Sequence, residues 1–152
     1  MAEETQEKQF IIQKLYIKDV SFETPNSPVI FTQQWEPKVE FNLASNAQGL
    51  ENGLYEVGLT VTVTVKLEEK TAYLAELTQA GVFTIIGFSE EELAPMIGSY
   101  CPTVLFPYVR EAVSDLVIKG GFPPLLLAPV NFDALYMQHM QQQNNQTSNT
   151  LN

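Results

Sequence analysis

A long alternation of apolar and polar side chains constrains the fold of this sequence more than any other feature. The apolar residues occupy odd positions: Tyr55, Val57, Leu59, Val61, Val63, Val65 and Leu67. The even positions between them carry Glu56, Thr60, Thr62, Thr64 and Lys66. Successive side chains of a β-strand point to opposite faces, so this pattern predicts a long strand with one buried face.

Three further segments are predicted as strands. Phe10–Glu23 changes the phase of its apolar positions, which indicates a bulge near Lys18-Asp19. Val39, Phe41 and Leu43 alternate with polar residues, and a polar loop is predicted over 44–53. Thr71–Ile86 follows the long strand after a short turn, and short connections of this kind imply antiparallel pairing.

The second half of the chain predicts helices. Ser89 and Glu92 have capping-box spacing, and Pro95 limits the helix that they begin. A longer helix over about 103–119 ends where glycine follows Lys119. Asn131 is placed to cap a last helix. Strands followed by helices predict an α+β fold, with a four-stranded antiparallel sheet and helices packed on one face.

Two irregular segments carry more large apolar groups than loops usually do. The loop 24–37 contains Phe31 and Trp35, and the proline-interrupted arm 123–130 contains Leu125, Leu126 and Leu127. Phe122, Phe132 and Tyr136 flank this arm. Each of these residues taken alone could close the core from its edge, but together they exceed what one small core needs. Loops with aromatic linings over a helix form grooves, and such grooves bind extended apolar peptide.

Composition narrows the class of partner. The chain has 152 residues and is predicted as one domain over 1–152, with disorder at 1–9 and 141–152. Its formal net charge of -10 disfavours nucleic acid and anionic membrane surfaces. The acidic N-terminus lacks the pattern of a signal peptide, and the uncharged run 93–109 contains too many prolines for a membrane span. A single cysteine, Cys101, fits a reducing compartment.

Residues suited to catalysis are scarce. Cys101 lies just before a helix, where a thiol could be activated, but a small buried side chain is the simpler interpretation. His139 is the only histidine, and the metal-ligand set is too small for a structural zinc site. We therefore expect no enzyme activity, no catalytic residue, no metal and no cofactor.

Several motifs occur together in one order. They are Tyr16–Glu23, Pro25-Asn26, Trp35 before Pro37, Ser99–Pro102, Leu105–Tyr108, Arg110-Glu111 and, above all, Leu127–Leu135. In this arrangement the chain resembles the SecB family of bacterial protein-export chaperones, over about Phe10 to Met140. The resemblance implies an ATP-independent holdase in the cytoplasm, which keeps secretory precursors unfolded. It also implies a homotetramer, built as a dimer of dimers, that delivers clients to the SecA translocation motor.

Two sets of site residues follow. The predicted client-binding set combines the apolar groups of the irregular segments: Phe31, Trp35, Leu125, Leu126, Leu127, Phe132 and Tyr136. The resemblance places motor binding on a second set: Asp19, Glu23, Leu74 and Glu76. Leu74 and Glu76 share one face of the predicted fourth strand.

Two alternatives stay open at this point. The predicted apolar groove could instead serve a small-molecule binding domain or an enzyme. Either function would need polar groups that converge inside the groove. Relatives of the SecB type also serve toxin–antitoxin pairs, and the sequence within the fold does not separate that role from general export.

Overall fold

A four-stranded antiparallel sheet forms one layer of the protein, in the spatial order β1-β4-β3-β2. The structure is a computed structural model that describes residues 7–150, with side chains described up to residue 146. The strands are β1 Gln9–Glu23, β2 Pro37–Gly49, β3 Leu54–Leu67 and β4 Lys70–Ile86. The predicted fold class is confirmed, because the α-helices follow the strands in the chain and the long helix lies on one face of the sheet.

The register of the strands sorts apolar side chains onto the helix side of the sheet. Val61 of β3 lies opposite Leu77 of β4 and opposite Leu43 of β2. The pairing of β1 with β4 shifts register between Ile12 and Lys14, and again between Ile17 and Asp19. The second shift confirms the bulge predicted near Lys18-Asp19.

One predicted loop is wrong. The sequence predicts a polar loop over 44–53, whereas β2 continues to Gly49, which pairs with Tyr55. β2 is an edge strand whose second half is exposed on both faces, so this half carries none of the apolar alternation by which a strand is recognised. The actual turn is confined to 50–53, where Asn52 and Gly53 have positive φ.

The helical region begins at Ser89 with the predicted capping box. Ser89 Oγ accepts a hydrogen bond from the Glu92 amide at 3.2 Å, and the Glu92 carboxylate accepts one from the Ser89 amide at 3.3 Å. Helix α1 Glu90–Pro95 is short, as predicted. The chain nevertheless stays helical, because a π-helical segment, Met96–Tyr100, connects it directly to α2, Cys101–Lys119.

Helix α2 covers the centre of the sheet. Its fully buried positions recur every four residues at Leu105, Val109, Val113 and Val117. They belong to one core with the inward valines and leucines of β3 and β4. Full burial of one such side chain contributes about 1.5–3 kcal/mol, so this helix–sheet contact is the main source of stability in the fold.

One helix cannot cover four strands. A helix with its side chains is about 10–12 Å wide, whereas strands spaced about 4.8 Å apart place the two edge strands of a four-stranded sheet about 14 Å from each other. Several helix-side residues of the two edge strands therefore remain about half exposed. They include Ile12, Ile17 and Val20 on β1, and Val39 and Phe41 on β2.

The last helix, α3 Phe132–Thr150, is longer than the sequence suggests. Asn131 Oδ1 accepts a hydrogen bond from the Ala134 amide at 3.0 Å, which confirms the predicted cap. The predicted disorder begins at residue 141, whereas the structure continues the helix through Thr150. Glutamine has a good helix propensity, which favours a helical conformation in this segment.

The predicted disorder at the N-terminus also differs from the structure where the two overlap. Gln9 already belongs to β1, and the Lys8 ammonium pairs with the Glu92 carboxylate. The remainder of both predictions, residues 1–6 and 151–152, lies outside the described residues. Within the described range, no helix combines the length and apolar character needed to cross a bilayer.

Candidate functional site

An extended arm, residues 122–131, connects α2 to α3 without regular secondary structure. It starts beside the end of α2 and returns to its beginning, since the Phe132 ring lies 5.7 Å from the Phe106 ring. Pro123, Pro124 and Pro129 fix the φ angle at three positions and remove three amide donors. The arm therefore stays extended alongside the helix instead of forming structure of its own.

A groove of about 680 Å³ lies between α2 and this arm, and we call it the arm groove. Its apolar lining comes from both sides: Phe106, Pro107, Ile118, Leu126, Pro129, Val130 and Phe132. Leu126 is 70% exposed and Ile118 is 53% exposed, so large apolar groups face solvent here. Arg110, Glu111 and Asp115 supply the charged part of the lining.

An aromatic cluster closes one end of the arm, and we call it the Phe122 cluster. The Phe122 ring centroid lies 4.9 Å from Tyr73, 5.0 Å from Phe31 and 5.7 Å from Trp35. Gly121 precedes it with φ +90°, and a Cβ there would meet the Phe31 ring at 3.2 Å. Glycine at this position therefore serves both the turn of the backbone and the close approach of the ring.

A second opening, of about 440 Å³, lies between β2 and α3, and we call it the β2–α3 pocket. It is lined by Leu43, Ala44, Ser45, Leu59, Gly98, Phe132, Leu135, Tyr136 and His139. The Tyr136 ring packs on Gly98, where a Cβ would come within 2.6 Å of it. The buried Ser99 hydroxyl donates a hydrogen bond to Asp133 Oδ1 and so links the π-helical segment to α3.

The predicted client-binding residues are distributed over these three places. Phe31 and Trp35 belong to the Phe122 cluster, Leu126 to the arm groove and Tyr136 to the β2–α3 pocket. Phe132 lines both openings and joins them, although only 6% of it is exposed.

The remaining two residues of that set face inward. Leu127 is buried in the core, and Leu125 is half-buried against it. The arm connects all seven residues, but they do not form one cavity. Their role in client binding stays a prediction.

Sequence reasoning missed part of the lining. Phe106 and Ile118 lie on helix α2 and Leu43 lies on the edge strand β2, and none of the three belonged to the predicted client-binding set. Phe122 was visible as one of the aromatic residues beside the arm, but its position at the centre of the cluster was not. These contacts depend on where the arm lies, which no local pattern encodes.

The predicted motor-binding residues lie together on the outer face of the sheet, away from α2. Glu23 is paired with Leu74, Ser21 with Glu76 and Asp19 with Thr78. We call Asp19, Glu23, Leu74 and Glu76 the acidic patch. Among the described residues, none of its three carboxylates takes part in an ion pair. Motor binding by this patch stays a prediction.

The residues considered for catalysis are not arranged for it. Cys101 is fully buried, as predicted, and burial raises the pKa of its thiol to about 12. The reactive thiolate is therefore disfavoured at neutral pH. His139 lies exposed on α3, with its Nε2 atom 3.1 Å from Gln143 Nε2. In the part of the chain that the structure describes, no three or more His, Cys, Asp or Glu residues are grouped to hold a metal.

A family model and individual proteins that are similar to this chain all point to the same family. The family described as preprotein translocase subunit SecB matches residues 3–143. A protein-export protein SecB of Methylococcus capsulatus is 72% identical over 143 residues, covering 93% of this chain and 92% of that protein. One from Hydrogenovibrio crunogenus is 54% identical, covering 94% and 96%.

A solved structure shares the fold at low sequence identity. It is the SecB-like chaperone of Mycobacterium tuberculosis in complex with a peptide from the HigA1 antitoxin. The match has a TM-score of 0.66 at 17% identity and covers 80% of this chain and 89% of that one.

The Phe122 cluster predicts a stability difference between two phenylalanines. Phe122 is 4% exposed whereas Phe31 is 49% exposed. Replacing a buried phenylalanine by alanine lowers stability by about 3–5 kcal/mol, so Phe122→Ala should approach that loss and Phe31→Ala should lose clearly less. Urea denaturation of both variants at one protein concentration measures the difference.

Trp35 gives a second readout, because it is the only tryptophan in the chain. Its emission should move to longer wavelength in Phe122→Ala, since removal of the neighbouring ring admits water. Wild-type stability and unchanged emission in that variant would show that Phe122 does not organise the cluster.

Proposed function

We propose that this chain, which belongs to the SecB family, is an ATP-independent chaperone that holds secretory precursors unfolded. The family supplies the class of function, since the similar proteins from Methylococcus and Hydrogenovibrio are named as protein-export proteins. The chain itself supplies the means by which an unfolded chain could be bound.

One observation carries the proposal: large apolar side chains remain exposed along an arm that is held extended. Leu126, Ile118 and Phe31 are each about half exposed or more, and they lie at the groove and at the cluster that the arm joins. Exposed apolar groups that lie close together mark interaction sites. An unfolded polypeptide presents apolar side chains without a fixed sequence, so a long adaptable surface suits it better than a shaped cavity.

The client-binding set then acts through many modest contacts. Burial of one large apolar side chain contributes about 1.5–3 kcal/mol when it is complete, and less for groups that stay partly exposed. Several such sites along one client raise the overall affinity, because each later contact is intramolecular. The prolines of the arm reduce the ordering that accompanies binding, since they restrict its free conformations.

We also propose a homotetramer, built as a dimer of dimers. Its support is apolar surface that one chain leaves open: Tyr108 on α2, Ile17 and Val20 on β1, and a depression of about 470 Å³ between these elements. The outer edge of β1 is an unpaired strand edge within one subunit, which can pair with a second copy. Four copies would multiply the client sites.

Delivery to a SecA-type translocation ATPase in the cytoplasm completes the proposal. The acidic patch is its expected contact, since its carboxylates have no ion-pair partner among the residues that the structure describes and face away from the client surfaces. Carboxylates on an exposed face steer a basic partner, and salt weakens that attraction. A role beside a toxin–antitoxin pair has less support, because likeness to the mycobacterial chaperone is one of fold alone.

The arm groove is tested by removing its most exposed apolar group. Leu126→Gln should weaken binding of an unfolded precursor several-fold while the protein stays folded, because this side chain packs on little else. Leu50→Gln is the matched control, since Leu50 is also exposed but lies at the turn between β2 and β3. Calorimetric titration with a reduced, unfolded precursor measures both affinities.

Native mass spectrometry of the same samples checks assembly. Four chains are expected with and without client for wild type and both variants. Equal losses in the two leucine variants would remove the arm groove from the client surface, and a single-chain mass would contradict the tetramer.

The acidic patch is tested by charge reversal. Glu76→Lys should weaken motor binding at low salt and leave client binding unchanged, because Glu76 lies on the outer face of the sheet, which points away from α2. Glu51→Lys is the matched control, since it makes the same charge change at the distant β2–β3 turn. Equal motor affinities for the two variants would remove the patch from the proposal.

A further inference from the structure

A three-residue cluster crosses the outer face of the sheet beside the acidic patch. Lys18 Nζ lies 2.7 Å from Glu56 Oε1, and the Tyr16 hydroxyl donates a hydrogen bond to Glu56 Oε2. The Glu56 side chain is only 19% exposed, which is low for a carboxylate on an outer sheet face. Both of its oxygens are therefore occupied by groups that come from β1.

Two features of the sequence allow this contact across an intervening strand. The β1 bulge leaves Lys18 out of the pairing with β4, so its side chain is not fixed by the regular alternation. On β4 and β3, the positions in line with Tyr16 are Ala80 and Gly58. These small residues leave room for side chains from β1 to reach Glu56 on β3, and Ala80 is fully buried beneath them.

The pKa values of Glu56 and Tyr16 favour a charged Glu56 carboxylate that stays paired with Lys18. The hydrogen bond from Lys18, followed by that from Tyr16, holds the pKa of the Glu56 carboxyl below its usual value. Burial, together with the neighbouring carboxylate, raises the pKa of Tyr16 to about 12. At neutral pH, Glu56 is therefore an anion that accepts from both partners.

On the outer face of the sheet, some charged side chains form ion pairs, whereas the carboxylates of the acidic patch form none with the described residues. Lys18 pairs with Glu56, and Lys66 lies 3.7 Å from Glu40. Asp19 directly follows Lys18 in the chain, yet neither it nor the other two carboxylates of the acidic patch has an ion-pair partner among the described residues. A lysine released from Glu56 would have Asp19 as its nearest carboxylate in sequence.

We propose that Glu56 is a positioning residue that holds Lys18 away from Asp19 and so keeps the acidic patch free to bind a basic partner. The inference rests on the proposed function, because it assigns a role beside the surface proposed for the translocation motor. It adds a residue from a strand that contributes nothing to that surface directly.

The test measures motor binding at low salt in charge-matched variants. Glu56→Gln should weaken binding about two- to five-fold, the size expected for one exposed ion pair. Adding Lys18→Gln to that variant should restore the affinity. Adding Lys14→Gln instead restores the same net charge from the same strand and should not restore binding, because Lys18 stays released. Rescue by both lysine changes would overturn the inference in favour of net charge alone.

One further variant, Glu56→Asp, makes each outcome decisive. Glu56→Asp keeps the charge and shortens the reach by one methylene, so it should also weaken motor binding; if Glu56→Gln fails to fold, this variant carries the test. Wild-type affinity in a folded Glu56→Asp or Glu56→Gln protein would overturn the inference.

The Glu76→Lys variant distinguishes failure of the role of Glu56 from failure of the proposed motor binding. Impaired Glu76→Lys with unaffected Glu56 variants would refute only the role of Glu56, whereas full affinity in Glu76→Lys would refute the proposed motor surface itself. Client affinity should be unchanged in every Glu56 and Lys18 variant, since these residues lie on the face away from α2.

Discussion

The packing of one helix, α2, against the middle of the sheet is the contact on which the rest of the structure depends. It buries the inward side chains of β3 and β4 and leaves the two edge strands partly uncovered. A second layer of helices would have closed this surface. Instead the chain passes back along α2 as an extended arm, and two openings with largely apolar linings remain, one between α2 and the arm and one between β2 and α3.

The two faces of the sheet are therefore suited to different partners. The helix side exposes apolar side chains, and the proposed binding of unfolded chains there would be driven by removal of apolar surface from water. The outer side offers carboxylates, alanine, glycine and threonine, with the lysines Lys18 and Lys66 already paired. Attraction between opposite charges weakens as the salt concentration rises, whereas apolar contacts depend on salt little. Binding at the two faces should therefore respond differently to salt.

The sequence predicts what local patterns determine. The alternation in β3, the capping box at Ser89 and the end of α2 at Lys119 are all as expected, because each depends on neighbours in the chain. Contacts between distant segments were beyond prediction. The second half of β2 lacks an apolar pattern because neither of its faces is covered. Five of the seven predicted client-binding residues divide among three places and two face the core, because the path of the arm, not the spacing of residues, decides what they contact.

Calorimetry of client binding over a range of temperatures tests the central claim most directly, that unfolded chains are held by apolar surface on the helix side. Burial of apolar surface gives a negative heat-capacity change on binding. The account predicts a clearly negative value for unrelated unfolded precursors, with an affinity that changes little between low and high salt. A heat-capacity change near zero, with an affinity that falls steeply as salt is added, would contradict it.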